Sequence, residues 1–348
     1  PEVPLTTPLT VTFNSATRVY SSDAFTGGGV FSYSITPETG VLTGLTYSGT
    51  AEGEKNAGTY SILGFYAPQT TYSITYVAGV LDITPVTVAL SATKVYDGRT
   101  SLTGSDVTIG TGIGDETLTY SGATVTNAHV ATASKYINAI TLSDGVGVNG
   151  SLASNYDLPA VLNRASAPAE ITVRAVTVVP TITGIDKTYD GLLVAAGSSI
   201  AAVSSNIVSG DVKSLDKSNV TLAFNTAHVA SADKILAAGT VSLGNFSFTN
   251  TGDGVSAVVA GLDSDYVYTL QSSVAAVTQA IIPKGLTTSA SITGDNKTYD
   301  GLLAASTSSI SGSTGGAIGS DVVTLGTGDM ILRFGDAHAA STGIISYI

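Results

Sequence analysis

The sequence contains no cysteine, no tryptophan and a single methionine. The absence of cysteine excludes disulfide bonds and thiolate metal sites, so each domain must be stabilised by its own packed core. Domains of about 90 to 110 residues bury enough apolar surface to fold without such cross-links. Apolar residues make up 43% of the chain, which is enough for cores of that kind.

Charged residues are also scarce, at 11% of the 348 residues, and the formal net charge is −12. Exposed helices normally carry many Glu, Lys and Arg, so this composition favours strands joined by short polar turns. An acidic chain is repelled by phosphate backbones and by anionic membranes. No apolar run approaches the roughly 20 residues that cross a bilayer. We therefore expect no nucleic-acid partner and no membrane insertion in this segment.

One short stretch recurs and organises the chain. Its three full copies are Lys94-Val95-Tyr96-Asp97-Gly98, Lys187-Thr188-Tyr189-Asp190-Gly191 and Lys297-Thr298-Tyr299-Asp300-Gly301. A degenerate copy, Arg18-Val19-Tyr20, precedes them and lacks the Asp-Gly. Intervals of roughly 75 to 110 residues suit small independent domains better than the coils of a solenoid. We predict four units, at residues 1–84, 85–174, 175–283 and 284–348.

Short runs rich in Val, Ile, Thr and Tyr alternate with period two and end at Gly, Asn or Asp turns, as half-buried strands do. Examples are Leu9–Phe13, Val86–Leu90, Glu116–Tyr120 and Tyr266–Leu270. No stretch of eleven or more residues carries the apolar stripe of a helix. The sequence predicts an all-β protein of tandem Ig-like β-sandwiches in an elongated array.

The fourth predicted unit is much shorter than the second and third. We expect it to lack its last strands and to expose an open strand edge. This unit should then either exchange its amide protons fastest or be completed by a strand of another chain. The start at Pro1 and this short last unit lead us to expect an excerpt from a longer protein.

The recurring stretch has a structural interpretation. We expect Tyr96, Tyr189 and Tyr299 to pack inward at equivalent positions, since each ring supplies apolar area. Each Asp-Gly is expected to form a turn, because such turns often need a positive φ, which favours glycine.

Two other patterns invite chemical interpretations that we reject. The letters of Gly145 to Gly150 match a dinucleotide fingerprint, but that motif must lead into a helix, and this sequence continues instead with a short polar segment and a strand. The histidines, His129, His228 and His338, fall at the same place in successive units, so they lie too far apart to share a metal. We predict a glycine turn and structural histidines, with no catalytic, cofactor-binding or metal-binding residue.

The recurring Lys and Asp leave two alternatives open. One is an isopeptide cross-link, which needs a buried Lys beside an amide and a catalytic carboxylate. The other is calcium bound at domain junctions by carboxylates, for which the candidates are Asp263, Asp265, Asp295 and Asp300.

The Lys-x-Tyr-Asp-Gly stretch, the later Tyr strand and the closing Ile-Thr-Val strand resemble the YDG repeat family. The first unit, with Arg18-Val19-Tyr20 and Asn56–Tyr60, resembles the related mostly-β, Gly-rich MBG repeats, although its missing Asp-Gly departs from the YDG pattern. Such repeats occur in large surface or secreted adhesins, commonly of Gram-negative bacteria. The resemblance implies an extracellular, non-catalytic stalk of a cell-surface or biofilm-matrix adhesin, which holds a distal adhesive region away from the cell and has neighbouring repeats of the same chain as its contacts.

The alternative function is a binding module, in which exposed aromatics such as Tyr33 or Tyr268 grip a glycan or a host or matrix protein. An aromatic patch on one face favours binding, whereas tyrosines buried at equal positions favour the stalk. No sequence feature supports an enzyme.

Overall fold

The computed structural model describes residues 6–26, 30–249, 259–338 and 343–348. The protein is all-β, as the sequence predicts, and its strands form many small sheets. No α-helix occurs among the described residues, which instead include three short 3-10 turns at Gly104–Asp106, Ala153–Asn155 and Asp263–Asp265. Within the described part of the chain, no helix has the length and apolarity that crossing a membrane requires.

The strands are numbered in chain order. In the first half of the chain they are β1 (Thr7–Phe13), β2 (Ala16–Val19), β3 (Phe31–Tyr33), β4 (Thr46–Tyr47), β5 (Gly58–Ile62), β6 (Gly64–Phe65), β7 (Tyr72–Val77), β8 (Gly79–Thr84), β9 (Val86–Thr87), β10 (Ala89–Val95), β11 (Val107–Gly110), β12 (Thr119–Val125), β13 (Ile137–Ser143), β14 (Tyr156–Asp157) and β15 (Ala169–Thr172).

In the second half they are β16 (Arg174–Thr183), β17 (Lys187–Thr188), β18 (Ser199–Ser205), β19 (Asp211–Asp216), β20 (Thr221–Phe224), β21 (Lys234–Ala238), β22 (Ser242–Phe248), β23 (Tyr266–Leu270), β24 (Val277–Thr278), β25 (Ile281–Ile282), β26 (Thr287–Thr293), β27 (Ser309–Gly315), β28 (Leu332–Phe334) and β29 (Ile345–Tyr347).

The chain divides into two compact units. Unit 1 comprises Pro1–Val176, Asn206–Asp211 and Phe248–Val267, and unit 2 comprises Thr177–Ser205, Val212–Ser247 and Tyr268–Ile348. Unit 1 therefore includes two short segments from much later in the sequence, and both contribute to the site described below. The four predicted units, with boundaries after residues 84, 174 and 283, stay predictions.

The first part of unit 1 is built on β1 and β8. Strand β1 pairs in parallel with β7 and antiparallel with β3, and β8 lies between β2 and β5. Alternation along β1 points Leu9, Val11 and Phe13 inward, and all three are at most 2% exposed. The apolar face of this strand thus forms the core of the first segment.

The next part of unit 1 is built on β10, which pairs antiparallel with β11 and in parallel with β15. Strands β12 and β13 form a hairpin, and β14 lies beside β9. The alternating pattern of β10 buries Leu90, Ala92 and Lys94 on one face. A lysine consequently takes a core position in this strand, at the point where the recurring stretch begins.

Unit 2 contains a three-stranded sheet of order β20-β21-β24, whose buried Phe224 and Ile235 form a core with Ile281. Strand β16 lies between β18 and β23 in a second sheet, also of three strands. By contrast, β26 pairs with β27 alone among the described residues, and its residues are mostly exposed. The last part of the chain is therefore the most thinly packed.

Candidate functional site

Each full copy of the recurring stretch folds into the same lysine-centred turn. The Lys94 ammonium lies 2.8 Å from Asp97 Oδ1 and donates hydrogen bonds to the Arg99 and Ser101 carbonyls at 3.1 and 2.6 Å. Asp97 Oδ1 also accepts a hydrogen bond from the Arg99 amide at 2.9 Å. The ammonium thus uses all three of its donors to hold the turn against the end of β10.

The other two copies reproduce this geometry. Lys187 binds Asp190 at 2.7 Å, and Lys297 binds Asp300 at 2.8 Å. Each of these lysines also donates to the carbonyls five and seven residues later. The glycines that follow, Gly98, Gly191 and Gly301, all have positive φ, of 76°, 78° and 72°. Glycine is therefore the residue that this turn accepts without strain.

Among the described residues, the carboxylate within ion-pair distance of each lysine belongs to its own turn. An isopeptide cross-link needs a second, catalytic carboxylate beside a reactive amide or acid. The other hydrogen bonds of the three ammonium groups go to carbonyl oxygens, so the described geometry is that of an ion pair within a turn.

The first tyrosine packs in what we call the Tyr20 cluster, formed by Tyr20, Glu116, Asn155 and Tyr156. The Tyr20 hydroxyl donates to Glu116 Oε1 at 2.8 Å, and the Tyr156 hydroxyl donates to Glu116 Oε2 at 2.5 Å. The two rings meet edge to face, with centroids 5.6 Å apart. One carboxylate thus joins two phenols that lie far apart in sequence.

Asn155 closes this cluster from its other side. The residue is 1% exposed, and its Oδ1 accepts a hydrogen bond from the Ala57 amide at 2.9 Å. Its Nδ2 donates to Asn56 Oδ1 at 3.1 Å. The buried amide is therefore satisfied by the loop that precedes β5.

The Tyr20 cluster shifts the pKa of its carboxyl group downward. Burial works to raise the pKa of Glu116, but hydrogen bonds from Ser151, Tyr156 and Tyr20 outweigh it. Burial and the neighbouring Glu116 raise the pKa of Tyr156. The carboxylate is thus the ionised acceptor and the phenols are its neutral donors.

The second tyrosine packs in the Tyr96 cluster, formed by Tyr96, His129, Asp211, Asp265 and Tyr266. Tyr96 is fully buried, and its ring meets Tyr266 edge to face at 5.3 Å and stacks on His129 at 6.3 Å. The Tyr266 hydroxyl donates to Asp211 Oδ2. Burial raises the pKa of Asp211, although hydrogen bonds from Tyr266 and Gly261 oppose this. Asp211 is one methylene shorter than Glu116 and accepts the Tyr266 hydroxyl, whereas Glu116 accepts both phenols of its cluster.

Asp265 takes the place in this cluster that Asn155 takes in the first. It is fully buried, and Oδ1 accepts a hydrogen bond from the Val130 amide at 2.7 Å. His129 Nδ1 lies 2.7 Å from Oδ2, which also accepts from the Leu262 amide. In both clusters the last residue of a 3-10 turn binds a loop amide, and a tyrosine follows it directly.

The third tyrosine borders an open groove in unit 2, the Tyr189 groove. The Tyr189 hydroxyl donates to Asp321 Oδ2 at 3.0 Å, and this bond is the main cause that raises the pKa of Tyr189. The groove has a volume of about 350 Å³ and is lined by Tyr189, His228, Val229, Ile318 and Asp321, among others. Tyr189 is only partly buried there.

The fourth tyrosine corrects the expectation of equivalent inward packing. Tyr299 is 62% exposed and borders a shallow groove with His338 and Phe334. Its turn is intact, so the local motif is not what buries the ring. Tyr20 and Tyr96 are buried because later segments of unit 1 cover them, and the described residues place no such segment over Tyr299.

The histidines occupy matching loops, as their spacing predicts. The amide of each one bonds a side-chain oxygen two residues earlier: Asn127 for His129, Thr226 for His228 and Asp336 for His338. No group of three or more His, Asp or Glu suited to a metal occurs in the described residues. Asp265, a calcium candidate, instead binds His129, and Asp300 binds Lys297.

The sequence does not identify the carboxylates that accept the tyrosine hydroxyl groups, namely Glu116, Asp211 and Asp321. Each ends a tight turn in which its own amide bonds the carbonyl three residues earlier, on Ile113, Val208 and Ile318. A sequence signal exists, because each carboxylate follows an aliphatic residue and two residues drawn from Gly, Ser and Asp. This pattern is too short and too variable to be recognised without the structure.

The comparison with protein families identifies part of this arrangement. Residues 81–163 match the YDG domain. The matched YDG domain contains the Lys94–Gly98 turn, Glu116, His129 and Tyr156, and so contributes to both clusters of unit 1. A search of curated proteins finds no match to the chain.

The glycine pattern at Gly145 to Gly150 lies inside the YDG domain, between β13 and β14. The structure shows a turn there, with Gly147 at φ 80°, and the Gly145 amide bonds the Ser151 carbonyl. A Cβ on Gly145 would lie 1.9 Å from the Thr117 carbonyl oxygen. The glycines thus form a turn, as the sequence predicts, and they also permit close backbone packing.

Proposed function

We propose that this chain is a run of non-catalytic structural repeats from the stalk of a bacterial surface or biofilm-matrix adhesin. The four predicted segments would be small Ig-like sandwiches in an elongated array, located outside the cell. The observation that carries the proposal is the recurring bond between a tyrosine and the carboxylate of a later segment. It appears at Tyr20 with Glu116 and at Tyr189 with Asp321.

Such bonds suit a stalk because each joins a buried or half-buried tyrosine to a carboxylate of a following segment. Tyrosine rings supply apolar area, and the phenol-to-carboxylate hydrogen bond fixes the orientation. At Tyr189 the lysine-centred turn also holds the tyrosine in place from within its own segment. Together these contacts support a stiff connection between neighbouring repeats.

The binding-module alternative has less support in the described residues. Tyr33 is half-buried and stacks on Tyr66, and their hydroxyl groups are hydrogen-bonded. Tyr268 is also half-buried, with the Lys213 ammonium 4.7 Å from its ring centroid. Both rings are thus occupied by the protein itself, although Tyr299 offers an exposed ring.

Small-angle X-ray scattering of the monomer tests the stalk proposal. An array of three and a half units would span on the order of 120 Å, which corresponds to a radius of gyration of about 35 Å. A single globule of this length would give about 20 Å. The larger value is expected, and the smaller value in a chain shown to be monomeric would refute the elongated array.

A further inference from the structure

Two tyrosines in the first part of unit 1 face each other through their phenol groups. Tyr33 is the last residue of β3, and Tyr66 directly follows β6. Their hydroxyl groups are hydrogen-bonded, their ring centroids are 6.5 Å apart, and the ring planes are inclined by 28°. Two phenols that met head-on through their hydroxyl groups would have centroids about 8 Å apart. The ring edges that carry the carbons next to each hydroxyl therefore lie alongside each other.

The protein holds both rings of this pair from the backbone. Tyr33 lies opposite Val11 in the sheet, and its ring meets Phe31 edge to face at 5.5 Å. The Tyr66 amide donates a hydrogen bond to the Tyr76 hydroxyl at 3.0 Å. Burial and the hydrogen bond to Tyr33 raise the pKa of Tyr66, so this hydroxyl keeps its proton until it is oxidised. Both rings are only half-buried, and a small oxidant can therefore reach them.

The tyrosine pairs of the two clusters have a different geometry. Tyr20 and Tyr156 meet at an interplanar angle of 75°, and Tyr96 and Tyr266 meet at 80°. In such an edge-to-face contact the edge of one ring points at the face of the other. The carbons next to the two hydroxyl groups then do not face each other, as they do in the first pair.

We propose that Tyr33 and Tyr66 form a site of oxidative tyrosine coupling, at which a carbon–carbon bond joins the two rings. The oxidant is hydrogen peroxide activated at a haem, and it removes one electron and one proton from each hydroxyl. The two phenoxyl radicals combine through the Cε atoms beside their oxygens. The hydrogen on each of these carbons then moves to the oxygen, which restores both phenols. The two electrons and two protons reduce one peroxide to two waters.

The coupled product would act as a covalent cross-link within unit 1. It would join the sheet of order β3-β1-β7 to the pair formed by β4 and β6. The chain has no cysteine with which to make a disulfide, and a bond between distant residues restricts the unfolded chain in the same way. In the product both hydroxyl groups flank the new bond, so their hydrogen bond is kept. This site is independent of the stalk function, because it follows from the geometry of the pair.

Mild oxidation of the full chain tests the site. The dilute chain is treated with hydrogen peroxide and a small haem peptide. Because the chain contains no tryptophan, the fluorescence of coupled tyrosine is measured without interference. Peptide mass spectrometry should find a peptide pair that contains Tyr33 and Tyr66 and has lost two hydrogen atoms. Coupling within the chain at other tyrosines, with Tyr33 and Tyr66 unmodified, or no coupling within the chain, would overturn the proposal.

Protein concentration separates this reaction from coupling between chains. Tyr299 and Tyr347 are 62% and 59% exposed, so they can meet the same residues of a second molecule. Links between chains at these rings should increase with concentration. The yield of the link between Tyr33 and Tyr66 should not change, and a yield that rises with concentration would show that the pair does not react within one chain.

Phenylalanine variants assign the signal to the pair. Tyr33→Phe and Tyr66→Phe each keep the ring and remove one hydroxyl, and each should abolish the fluorescence of the oxidised monomer. The matched control is Tyr47→Phe, which changes a nearby ring that packs edge to face on Phe13 and should leave the fluorescence unchanged. An equal loss in the control, or an unchanged signal in either test variant, would assign the coupling to other tyrosines. The peptide map of the parent chain decides the assignment even where a variant does not fold.

A final measurement tests whether the fold prepares the reaction. In denaturing urea the two phenols meet only by chance, so the yield of their link should fall about tenfold or more. The same yield in the folded and the unfolded chain would show that the contact between Tyr33 and Tyr66 does not direct the coupling.

Discussion

Tyr96 and Tyr189 hold the same position in the same five-residue turn, yet their surroundings differ. Tyr96 is fully buried against Tyr266 and His129, whereas Tyr189 is partly buried beside an open groove. The turn itself is alike in both, down to the lysine contacts and the positive φ of the glycine. The burial of the ring is thus decided by a segment that arrives from much later in the chain, and not by the motif.

The largest effect should come from truncating the covered ring. Tyr96→Ala removes a fully buried aromatic side chain and should lower the free energy of unfolding of its segment by about 3 to 5 kcal/mol. Tyr299→Ala removes a ring that is 62% exposed and should cost about 0.5 kcal/mol or less. Denaturant titration of both variants checks the difference. Equal losses would mean that the motif, and not the covering segment, stabilises the fold.

The next effect concerns Asp265, which anchors the covering segment. Asp265→Ala leaves the half-buried His129 ring and Val130 amide without their carboxylate partner and should cost about 3 kcal/mol. Asp265→Asn should cost only about 1 kcal/mol, because Asn155 performs the same role in the Tyr20 cluster. Hydrogen exchange at the Val130 amide gives a local measurement. Similar protection in the Ala variant and the parent chain would show that this contact does not hold the segment.

A smaller difference in stability is expected between the turn beside the Tyr189 groove and the exposed turn of Tyr299. Gly191→Ala and Gly301→Ala both place a Cβ at positive φ, which should cost about 1 kcal/mol each. A Cβ on Gly191 also comes within 3.2 Å of Ile318 Cγ2, whereas nothing lies within 4 Å at Gly301. We expect Gly191→Ala to be the more destabilising in thermal unfolding. The reverse order would mean that Ile318 does not pack against this turn in solution.

The smallest effect is a difference in pH response between the two occupied clusters. The pKa of Glu116 lies below its ordinary value of 4.5, so its stabilising contribution is present above that pH and is lost as the pH falls through the folded pKa. The pKa of Asp211 lies above its ordinary value of 3.8, so acidification between that value and the folded pKa favours the folded state.

Carboxyl-to-amide variants measure these contributions. Glu116→Gln should reduce the loss of stability on acidification below about pH 4.5, by under about 1 kcal/mol. Asp211→Asn should remove a gain in stability of similar size on acidification from the folded pKa of Asp211 down to its ordinary value of 3.8. Urea titrations at pH 3.5, 5 and 7 on each variant make the comparison. The same pH slope in both variants would contradict the opposite shifts.

Local pattern predicts much of the fold. The strand expected at Tyr266–Leu270 is found with those bounds, because its alternation is clear and a turn precedes it. The strand expected at Val86–Leu90 is instead two strands, β9 and β10. The reason is a change of partner, since β9 pairs with β14 while β10 pairs with β11 and β15. The run Glu116–Tyr120 starts as a strand only at Thr119, because the Glu116 amide closes a turn with Ile113.

The candidate site is harder to predict from the sequence than the fold, because its contacts join residues far apart in the chain. The Asp-Gly turns follow from local chemistry, and their positive φ values agree with that prediction. The burial of Tyr96 depends on Tyr266, which no periodicity links to it. For the same reason the inward packing predicted for Tyr299 is wrong. A local motif specifies the position of a side chain in its turn, and a distant segment specifies its environment.

The lysine-centred turns also have a consequence for covalent labelling. An acylating reagent needs room to approach the amine and a lone pair on its nitrogen. Lys94, Lys187 and Lys297 each donate to two carbonyls and a carboxylate, and these bonds both block the approach and keep the nitrogen protonated. The exposed amine of Lys55 should react first and that of Lys94 last, with Lys297 earlier than Lys94 because its side chain is 16% rather than 5% exposed. The order in which these amines are modified, measured by peptide mass spectrometry, therefore reports how readily each turn opens.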